Sequence, residues 1–145
     1  KILPGASLLD VAAEADIVFV ALPLTPQTRG LIGSEFFAAM QSDAYLVSVS
    51  RGAIIEPGAL YRALAEDTIA GAAIDTWYQY PSAETPRIVP SADFPFETLD
   101  NLVLSPHRAG FLAGETPHLD DAIENIRRLA RGAALLNAVD LEAGY

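Results

Sequence analysis

Residues 17–22 read Ile17-Val18-Phe19-Val20-Ala21-Leu22, an unbroken apolar run that Pro23 ends. Three later runs are also largely apolar and also stop at polar or turn-forming residues: Tyr45–Val49, Ile69–Ile74 and Leu102–Leu104. Apolar runs of this length without polar alternation are typical of strands that are buried on both faces, as in a parallel sheet covered by helices. The sequence therefore predicts strands of one parallel sheet.

Segments with helical spacing separate these runs. Ser7 precedes a short apolar segment, Ser34 is placed to N-cap the next helix, and Pro57 suits the first turn of a third. A longer helix is predicted to open at Thr116-Pro117, with acidic residues first and arginines last, an order that complements the helix dipole. Alternating helices and strands predict an α/β fold with right-handed crossovers, a doubly wound (Rossmann-like) parallel sheet.

The composition excludes several kinds of partner and site. Over 145 residues, 19 acidic residues outnumber 9 basic ones, which gives a formal net charge of -10. Nucleic acid and anionic membranes need a cationic surface, so neither is an expected partner. The absence of cysteine excludes disulfides, thiolate nucleophiles and cysteine-ligated metal centres, and no metal site is predicted. No apolar run approaches the roughly 18 residues of a membrane span.

The beginning of the chain resembles the interior of a longer protein. Its first residue is Lys1 and not methionine, and residues 1–5 read Lys-Ile-Leu-Pro-Gly. We therefore expect these 145 residues to be a fragment.

Polar side chains follow each predicted strand at the point where it ends. Thr25 and Thr28 follow the first, Arg51 the second, Asp75 the third and His107 the fourth. In an open parallel sheet the carboxyl ends of the strands meet at one edge, where ligands bind. An arginine, a carboxylate and an imidazole at one edge are suited to bind an anion, orient a polar ligand and move a proton.

Taken singly, each of these residues has a common structural explanation. An arginine after a strand is usually solvated, and an aspartate there is more often a helix cap or a turn former. A histidine in a constrained turn is as often a hydrogen-bonded loop residue as a proton-transfer group. The expected convergence of Arg51, Asp75 and His107 at one edge is what favours a functional site.

Four segments resemble the later half of the nucleotide-binding domain of the D-isomer-specific 2-hydroxyacid dehydrogenases. They read ADIVFVALPLTPQT at 15–28, VSRGAIIE at 49–56, GAAID at 71–75 and SPHRAG at 105–110. They are similar to the family's strand and Leu-Pro-Leu-Thr loop, its Arg-Gly segment, its aspartate-bearing strand and its Pro-His-x-x-Gly segment. Each segment is moderately specific, and the four together in this order are strongly specific.

The resemblance implies a domain arrangement and a set of partners. Residues 1–115 would form the C-terminal half of a dinucleotide-binding domain, with a sheet incomplete at its N-terminal half. Residues 116–145 would form a C-terminal helix and tail leading back to a missing substrate domain. The resemblance further implies NAD or NADP, a small 2-keto or 2-hydroxy acid, a homodimer when full-length and a cytoplasmic location. Because no Gly-x-Gly-x-x-Gly occurs in the chain, we expect the 145 residues alone to be inactive.

The resemblance also implies roles for individual residues. Arg51 would bind the substrate carboxylate, and His107 would be the catalytic acid that protonates the developing alkoxide. Asp75 would bind the carboxamide end of the nicotinamide. The full cofactor-binding set implied in this way is Leu22, Pro23, Thr28, Val49, Ser50, Arg51, Asp75, His107 and Gly110.

One residue differs from the family pattern at a position next to the proposed catalytic histidine. Family members usually carry a glutamate five residues after the aspartate, where it pairs with the histidine, but here that residue is Tyr80. We expect the Tyr80 hydroxyl to hydrogen-bond the imidazole, which makes Tyr80 a third catalytic candidate. The departure also leaves an alternative open, an NAD(H)-sensing or corepressor-like module with relic catalytic residues. A receiver-type signalling domain is disfavoured, because it needs an acidic cluster at the first strand ends.

Overall fold

The structure is a computed structural model, and it describes residues 7–84, 86–110 and 117–142. The chain divides into two compact units, Lys1–Ala109 and Gly110–Tyr145. Among the described residues, the first unit contains a four-stranded sheet and three α-helices, and the second contains one α-helix.

A parallel sheet forms the centre of the first unit. Its strands are β1 (Ile17–Val20), β2 (Tyr45–Ser48), β3 (Gly71–Ile74) and β4 (Leu102–Leu104), hydrogen-bonded in the order β1-β2-β3-β4. Every neighbouring pair is parallel, and the register aligns Phe19, Val47, Ala73 and Val103 in one row. The predicted Rossmann-like α/β sheet is confirmed. The first three strands are one or two residues shorter than the runs that predicted them.

The first two helices are α1 (Leu8–Glu14) and α2 (Ser34–Ala39). The start of α1 is capped by Ser7 and Asp10. The Ser7 hydroxyl accepts a hydrogen bond from the Asp10 amide at 3.1 Å, and the Asp10 carboxylate accepts one from the Ser7 amide at 3.0 Å. This reciprocal pair is a capping box, which stabilises the start of α1.

The predicted cap of α2 is wrong, whereas the start of the next helix is as predicted. Gly33 is the N-cap of α2, and Ser34 is its first helical residue. The Ser34 hydroxyl instead accepts a hydrogen bond from Arg62 at 3.2 Å. This arginine lies on α3 (Pro57–Ala65), which begins at Pro57 because proline has no amide hydrogen to lose there.

The hydrophobic core joins the sheet to the helices. Among its largest fully buried side chains are five from β2, α2 and α3: Leu46, Phe36, Phe37, Leu60 and Leu64. Burying a side chain of this size is worth about 1.5–3 kcal/mol in transfer free energy. The core therefore holds the sheet and these helices together and sets where the strand ends lie.

The opposite face of the sheet is exposed, so the expectation that the strands are buried on both faces is wrong. Phe19 and Val103 are each 64% exposed, and Ile17 is 61% exposed. Right-handed crossovers that advance in one direction place their helices on one face of a sheet. The strands in the described part of the chain advance in one direction, from β1 to β4, so their helices cover a single face.

An aromatic cluster holds the long connection between β3 and β4. Phe96 is fully buried at the start of a 3₁₀ turn, Phe96–Thr98. Its ring centroid lies 5.6 Å from that of Tyr61 on α3, 5.7 Å from that of Trp77 and 6.4 Å from that of Phe94. Aromatic pairs at such distances contribute about 0.5–1.5 kcal/mol beyond area burial. The connection is thus fixed onto α3 by side-chain packing.

The second unit contains α4 (Pro117–Ala130), which confirms the predicted long helix; Thr116 lies outside the described residues. Asp120 lies in its first turn and Arg128 in its last, the order that complements the helix dipole. Ile126 is 69% exposed. None of the helices in the described ranges combines the length and apolar character that a membrane crossing requires.

Candidate functional site

The four parallel strands end on the same side of the sheet, which we call the carboxyl edge. Leu22 and Pro23 follow β1, Arg51 follows β2, Asp75 follows β3 and His107 follows β4. Because each neighbouring pair of strands is parallel, these positions lie along one edge although they are far apart in sequence. Three sets of contacts tie the adjacent strand ends together.

The first contact joins the ends of β1 and β2 through Ser50. Its hydroxyl donates to the Val20 carbonyl at 3.0 Å and accepts from the Leu22 amide at 2.9 Å. The Val49 amide donates to the same Val20 carbonyl at 3.2 Å. Ser50 is buried, and both hydrogen bonds of its hydroxyl go to the end of β1. Any contact of Ser50 with a ligand would therefore come from its backbone.

The loop after β1 is shaped by the Thr28 hydroxyl. It donates to the Pro23 carbonyl at 2.7 Å and accepts from the Thr25 amide at 2.8 Å. Both hydrogen-bonding functions of the hydroxyl are therefore used inside the loop. Thr28 accordingly sets the path of the loop that carries Pro23.

Arg51 presents its side chain at the exposed carboxyl edge. One guanidinium nitrogen, Nη1, donates to the Ser50 carbonyl at 2.7 Å. This hydrogen bond orients the guanidinium. Because the group is planar, fixing one nitrogen also fixes the directions of its remaining N–H donors. An exposed, oriented guanidinium is suited to bind a carboxylate through two parallel hydrogen bonds.

The second contact joins the ends of β2 and β3 at Gly52. A Cβ atom at Gly52 would lie 2.5 Å from the Trp77 carbonyl oxygen and 2.6 Å from its carbon. Both are backbone atoms, so a side chain could fit only if one strand end moved. Glycine is required at this position by the close approach of two backbones, and this approach places Arg51 beside the residues that follow Asp75.

We expect Gly52→Ala to destabilise the fold by about 3 kcal/mol, the upper part of the usual range for overpacked sites. The added methyl would push Arg51 away from the end of β3. Urea denaturation of the chain measures the loss. Gly33→Ala is the matched control, because its methyl would meet the flexible Glu56 carboxylate at 3.1 Å. Equal denaturation midpoints for the two variants would contradict the close-approach explanation.

The third contact joins the ends of β3 and β4 through the Asp75 carboxylate. Oδ1 accepts from the Ser105 hydroxyl and from the Arg108 amide, the latter at 2.7 Å. Oδ2 accepts from the Ala109 amide at 2.9 Å. Asp75 is 5% exposed, so these hydrogen bonds form in a largely desolvated place. Asp75 therefore does not cap or turn its own segment, as is more common for an aspartate after a strand, but binds a distant turn.

The burial and the hydrogen bonds of Asp75 together determine its pKa. Burial opposes the charged carboxylate, but the hydrogen bonds from Ser105, Ala109 and Arg108 outweigh it. The nearby His107 adds an attractive charge, and the net result is a lowered pKa for Asp75. The group is therefore a carboxylate at neutral pH.

His107 lies in the turn that Asp75 holds, with an unusual backbone conformation. Its φ is 58°, in the left-handed region that residues with a Cβ rarely adopt. Its ring meets the Tyr80 ring with centroids 5.4 Å apart and planes at 61°, an edge-to-face contact. The expected hydrogen bond from the Tyr80 hydroxyl to the imidazole is not among the contacts of the described residues. Tyr80 therefore touches the imidazole by its ring.

Sequence reasoning missed two residues that build this edge. The Trp77 indole N–H donates to the Ser105 carbonyl at 2.9 Å, and the Ser105 hydroxyl binds Asp75. Trp77 shows no motif, and the SPHRAG segment that Ser105 opens does not indicate a contact with Asp75, since each partner lies about thirty positions away in sequence. Gly110, the last member of the predicted cofactor-binding set, belongs to the second unit.

Comparison with known proteins identifies one family. Residues 3–109 match the family model described as "D-isomer specific 2-hydroxyacid dehydrogenase, NAD binding domain". The matched residues cover every strand of the sheet and the turn that carries His107.

Individual relatives are similar over nearly the whole chain but are much longer. The chain is 37% identical over 139 residues to a glyoxylate reductase of Aeropyrum pernix, covering 94% of this chain and 38% of that protein. It is 34% identical over 143 residues to a D-3-phosphoglycerate dehydrogenase of Methanocaldococcus jannaschii, covering 94% of this chain and 25% of that protein.

A solved structure shows the same fold. It is a D-isomer specific 2-hydroxyacid dehydrogenase from Xanthobacter autotrophicus Py2 in complex with NADPH and MES, with a TM-score of 0.80 and 35% identity. The match covers 95% of this chain and 42% of that one. The chain thus spans between a quarter and about two-fifths of the length of these relatives.

Proposed function

Since the chain belongs to the D-isomer specific 2-hydroxyacid dehydrogenase family through its NAD-binding domain, we propose that it forms the nicotinamide side of an NAD(P)-dependent oxidoreductase. The reaction interconverts a small 2-keto acid and the corresponding 2-hydroxy acid, the class of substrate that the names of the relatives support. The observation that carries the proposal is the position of Arg51, Asp75 and His107 along one carboxyl edge of the sheet.

The residues at the edge fit the nicotinamide end of NAD or NADP. Asp75 Oδ2 accepts one hydrogen bond within the described structure, which leaves an acceptor position for a carboxamide N–H. Leu22 is 41% exposed and lies with Pro23 at the end of β1, where both offer apolar contact to a ring. When bound, NAD(P)H supplies the hydride that reduces the keto carbon.

The remaining members of the proposed cofactor-binding set act through shape and backbone. Thr28 holds the loop that carries Pro23, and the Val49 and Ser50 backbone forms the wall between β1 and β2. Gly110 stays a prediction from the family motif. Either NAD or NADP fits this proposal, since the family is named for an NAD-binding domain and the solved relative contains NADPH.

Arg51 binds and orients the keto acid in the proposed reaction. Its guanidinium pairs with the substrate carboxylate through two hydrogen bonds, which fixes the plane of the substrate. A fixed plane presents one face of the keto carbon to the nicotinamide and makes the reduction stereospecific. The bond from Nη1 to the Ser50 carbonyl holds the guanidinium in place before the substrate arrives.

His107 moves the proton in the proposed reaction. In reduction, a ring N–H of the imidazolium donates its proton to the oxygen of the developing alkoxide, and the imidazole becomes neutral. In oxidation, the neutral imidazole removes the hydroxyl proton. Tyr80 limits the movement of the imidazole by its edge-to-face contact, in the place where family members carry a carboxylate.

A second candidate function has one observation in its favour. Tyr80 provides no negative charge to the imidazole, so His107 lacks the carboxylate partner of typical family members. A protein that binds NAD(H) and signals its presence would tolerate such a change. The alternative is therefore an NAD(H)-sensing or corepressor-like module. A homodimer and a cytoplasmic location stay predictions from the resemblance.

Turnover by the intact polypeptide that carries this chain tests the proposal. With NADPH or NADH and either glyoxylate or hydroxypyruvate, we expect loss of absorbance at 340 nm and equimolar formation of glycolate or glycerate. The 145-residue chain alone is expected to show neither. Cofactor binding by the intact polypeptide without turnover of any small 2-keto acid would overturn the enzymatic proposal and favour the sensing module.

A further inference from the structure

We propose that Asp75 is the positioning residue that holds His107 at the carboxyl edge, by binding the turn on both sides of the histidine. The positioning of a proton-transfer group rests on the function proposed above, whereas the hydrogen-bonded turn does not. Such a role differs from a contact with the nicotinamide, and one carboxylate has enough acceptor positions for both.

The hydrogen bonds to Asp75 bracket the histidine. Ser105 lies two residues before His107, and Arg108 and Ala109 are the two residues that follow it. All three donate to the same carboxylate, two of them through backbone amides. A side chain that receives donors from both sides of one residue fixes the path of the backbone through that residue.

The backbone of His107 needs such support. Its φ of 58° is unfavourable for a residue with a Cβ and persists only where the surroundings impose it. The two amides that follow His107 point to Asp75 only while the backbone has turned in this direction. The carboxylate therefore stabilises the conformation that sets the direction of the imidazole.

The anchor itself is rigid. Asp75 directly follows β3, and its amide donates to the Ser48 carbonyl at 3.0 Å. Ser105 is held from two further directions: its amide donates to the Ile74 carbonyl at 2.9 Å, and its carbonyl accepts from the Trp77 indole at 2.9 Å. The turn that carries the imidazole is thus attached by hydrogen bonds to the ends of the central strands.

The first test uses the 145-residue chain without cofactor and reads the backbone directly. We expect Asp75→Asn to speed hydrogen exchange of the Arg108 and Ala109 amides by at least tenfold. The asparagine has one acceptor oxygen, and its NH₂ group would oppose an amide N–H. Asp100→Asn, an exposed aspartate just before β4, is the matched control and should leave both exchange rates unchanged. Unchanged protection in Asp75→Asn would overturn the proposal.

A pH titration of the unmodified chain repeats the test without a variant. The pKa of Asp75 is lowered in the folded protein. The hydrogen bonds therefore stabilise the turn fully at pH values above the ordinary aspartate pKa of about 4. They are lost as the pH falls through the lowered pKa. We expect the Arg108 and Ala109 amide proton shifts to titrate together below pH 4. Amide shifts that stay constant while Asp75 titrates would contradict the anchor, even if the variant fails to fold.

The second test uses the intact enzyme and separates positioning from cofactor binding. We expect Asp75→Asn to lower kcat at least tenfold and to alter its pH profile, because the imidazole is misdirected. Asparagine keeps one acceptor oxygen for the carboxamide N–H. The ratio of kcat/KM for NADH to that for its 3-acetylpyridine analogue, which lacks this N–H, should therefore change less than threefold. A variant that loses this discrimination but keeps both kcat and amide protection would show a cofactor contact and no anchor. An enzyme without turnover would instead refute the proposed function, and the exchange test would still decide the anchor.

Discussion

Replacing Arg51 with alanine in the intact enzyme should lower kcat/KM for 2-keto acids about a thousandfold. Removing one partner of a hydrogen-bonded charge pair that becomes buried on binding costs about 2–5 kcal/mol, and each 1.4 kcal/mol is tenfold in rate. The loss should be specific for the carboxylate, because Arg51 is held by the Ser50 carbonyl and faces the open carboxyl edge. Steady-state kinetics with glyoxylate measure it.

Two comparisons make the Arg51 experiment decisive. Arg51→Lys keeps the charge but not the planar fork, so it should restore only part of the activity. Methylglyoxal, a carbonyl compound without a carboxylate, should be turned over almost equally by the wild type and Arg51→Ala. Arg62→Ala removes an arginine that hydrogen-bonds Ser34 on α2 and is expected to leave kcat/KM unchanged. An Arg51→Ala enzyme with full activity on glyoxylate would exclude the role of anion clamp.

Replacing His107 with asparagine should lower kcat about a hundredfold to ten-thousandfold, the usual contribution of general acid–base catalysis. Keto-acid reduction and hydroxy-acid oxidation should lose rate together, since in the proposed reaction the same imidazole donates the proton in one direction and removes it in the other. The affinity for NADPH, measured by fluorescence titration, should change little. Asparagine does not titrate, so the pH dependence of kcat that belongs to the histidine should also disappear.

The other histidine of the sequence supplies the control for His107. His118→Asn makes the same chemical change in the last helix and is expected to keep both kcat and its pH profile. Retention of activity and of the pH profile by His107→Asn would mean that another group delivers the proton. Loss of NADPH affinity in His107→Asn would instead assign this residue to cofactor binding.

Much of the fold could be predicted because it depends on local patterns. The apolar runs 17–22 and 69–74 identified strands, and Ser7 and Pro57 marked helix starts, since each feature acts within a few residues of itself. The cap of α2 could not be predicted, because the Ser34 hydroxyl is taken by Arg62, far along the chain. The exposed Phe19 could not be foreseen either, as the covering of a sheet face depends on strand order.

The candidate site divides in the same way. Arg51, Asp75 and His107 could be predicted to lie along one edge because the strand ends of a parallel sheet share that edge and because the four motifs resemble one family. The three donors that bind Asp75, and the ring contact between Tyr80 and His107, had no signal in the sequence. These contacts depend on the paths of two segments that meet only after the sheet has formed.

By itself, the sequence determined the kind of fold and the kinds of chemical group that end its strands, because periodicity and residue type are properties of short segments. The tertiary structure alone decided what those groups do to one another. It turned Asp75 from a possible local cap into the acceptor for the turn of His107, and it brought the backbone at Gly52 against that of Trp77. Hydrogen bonding and steric exclusion act over a few ångströms, so they depend on distances that only the folded chain sets.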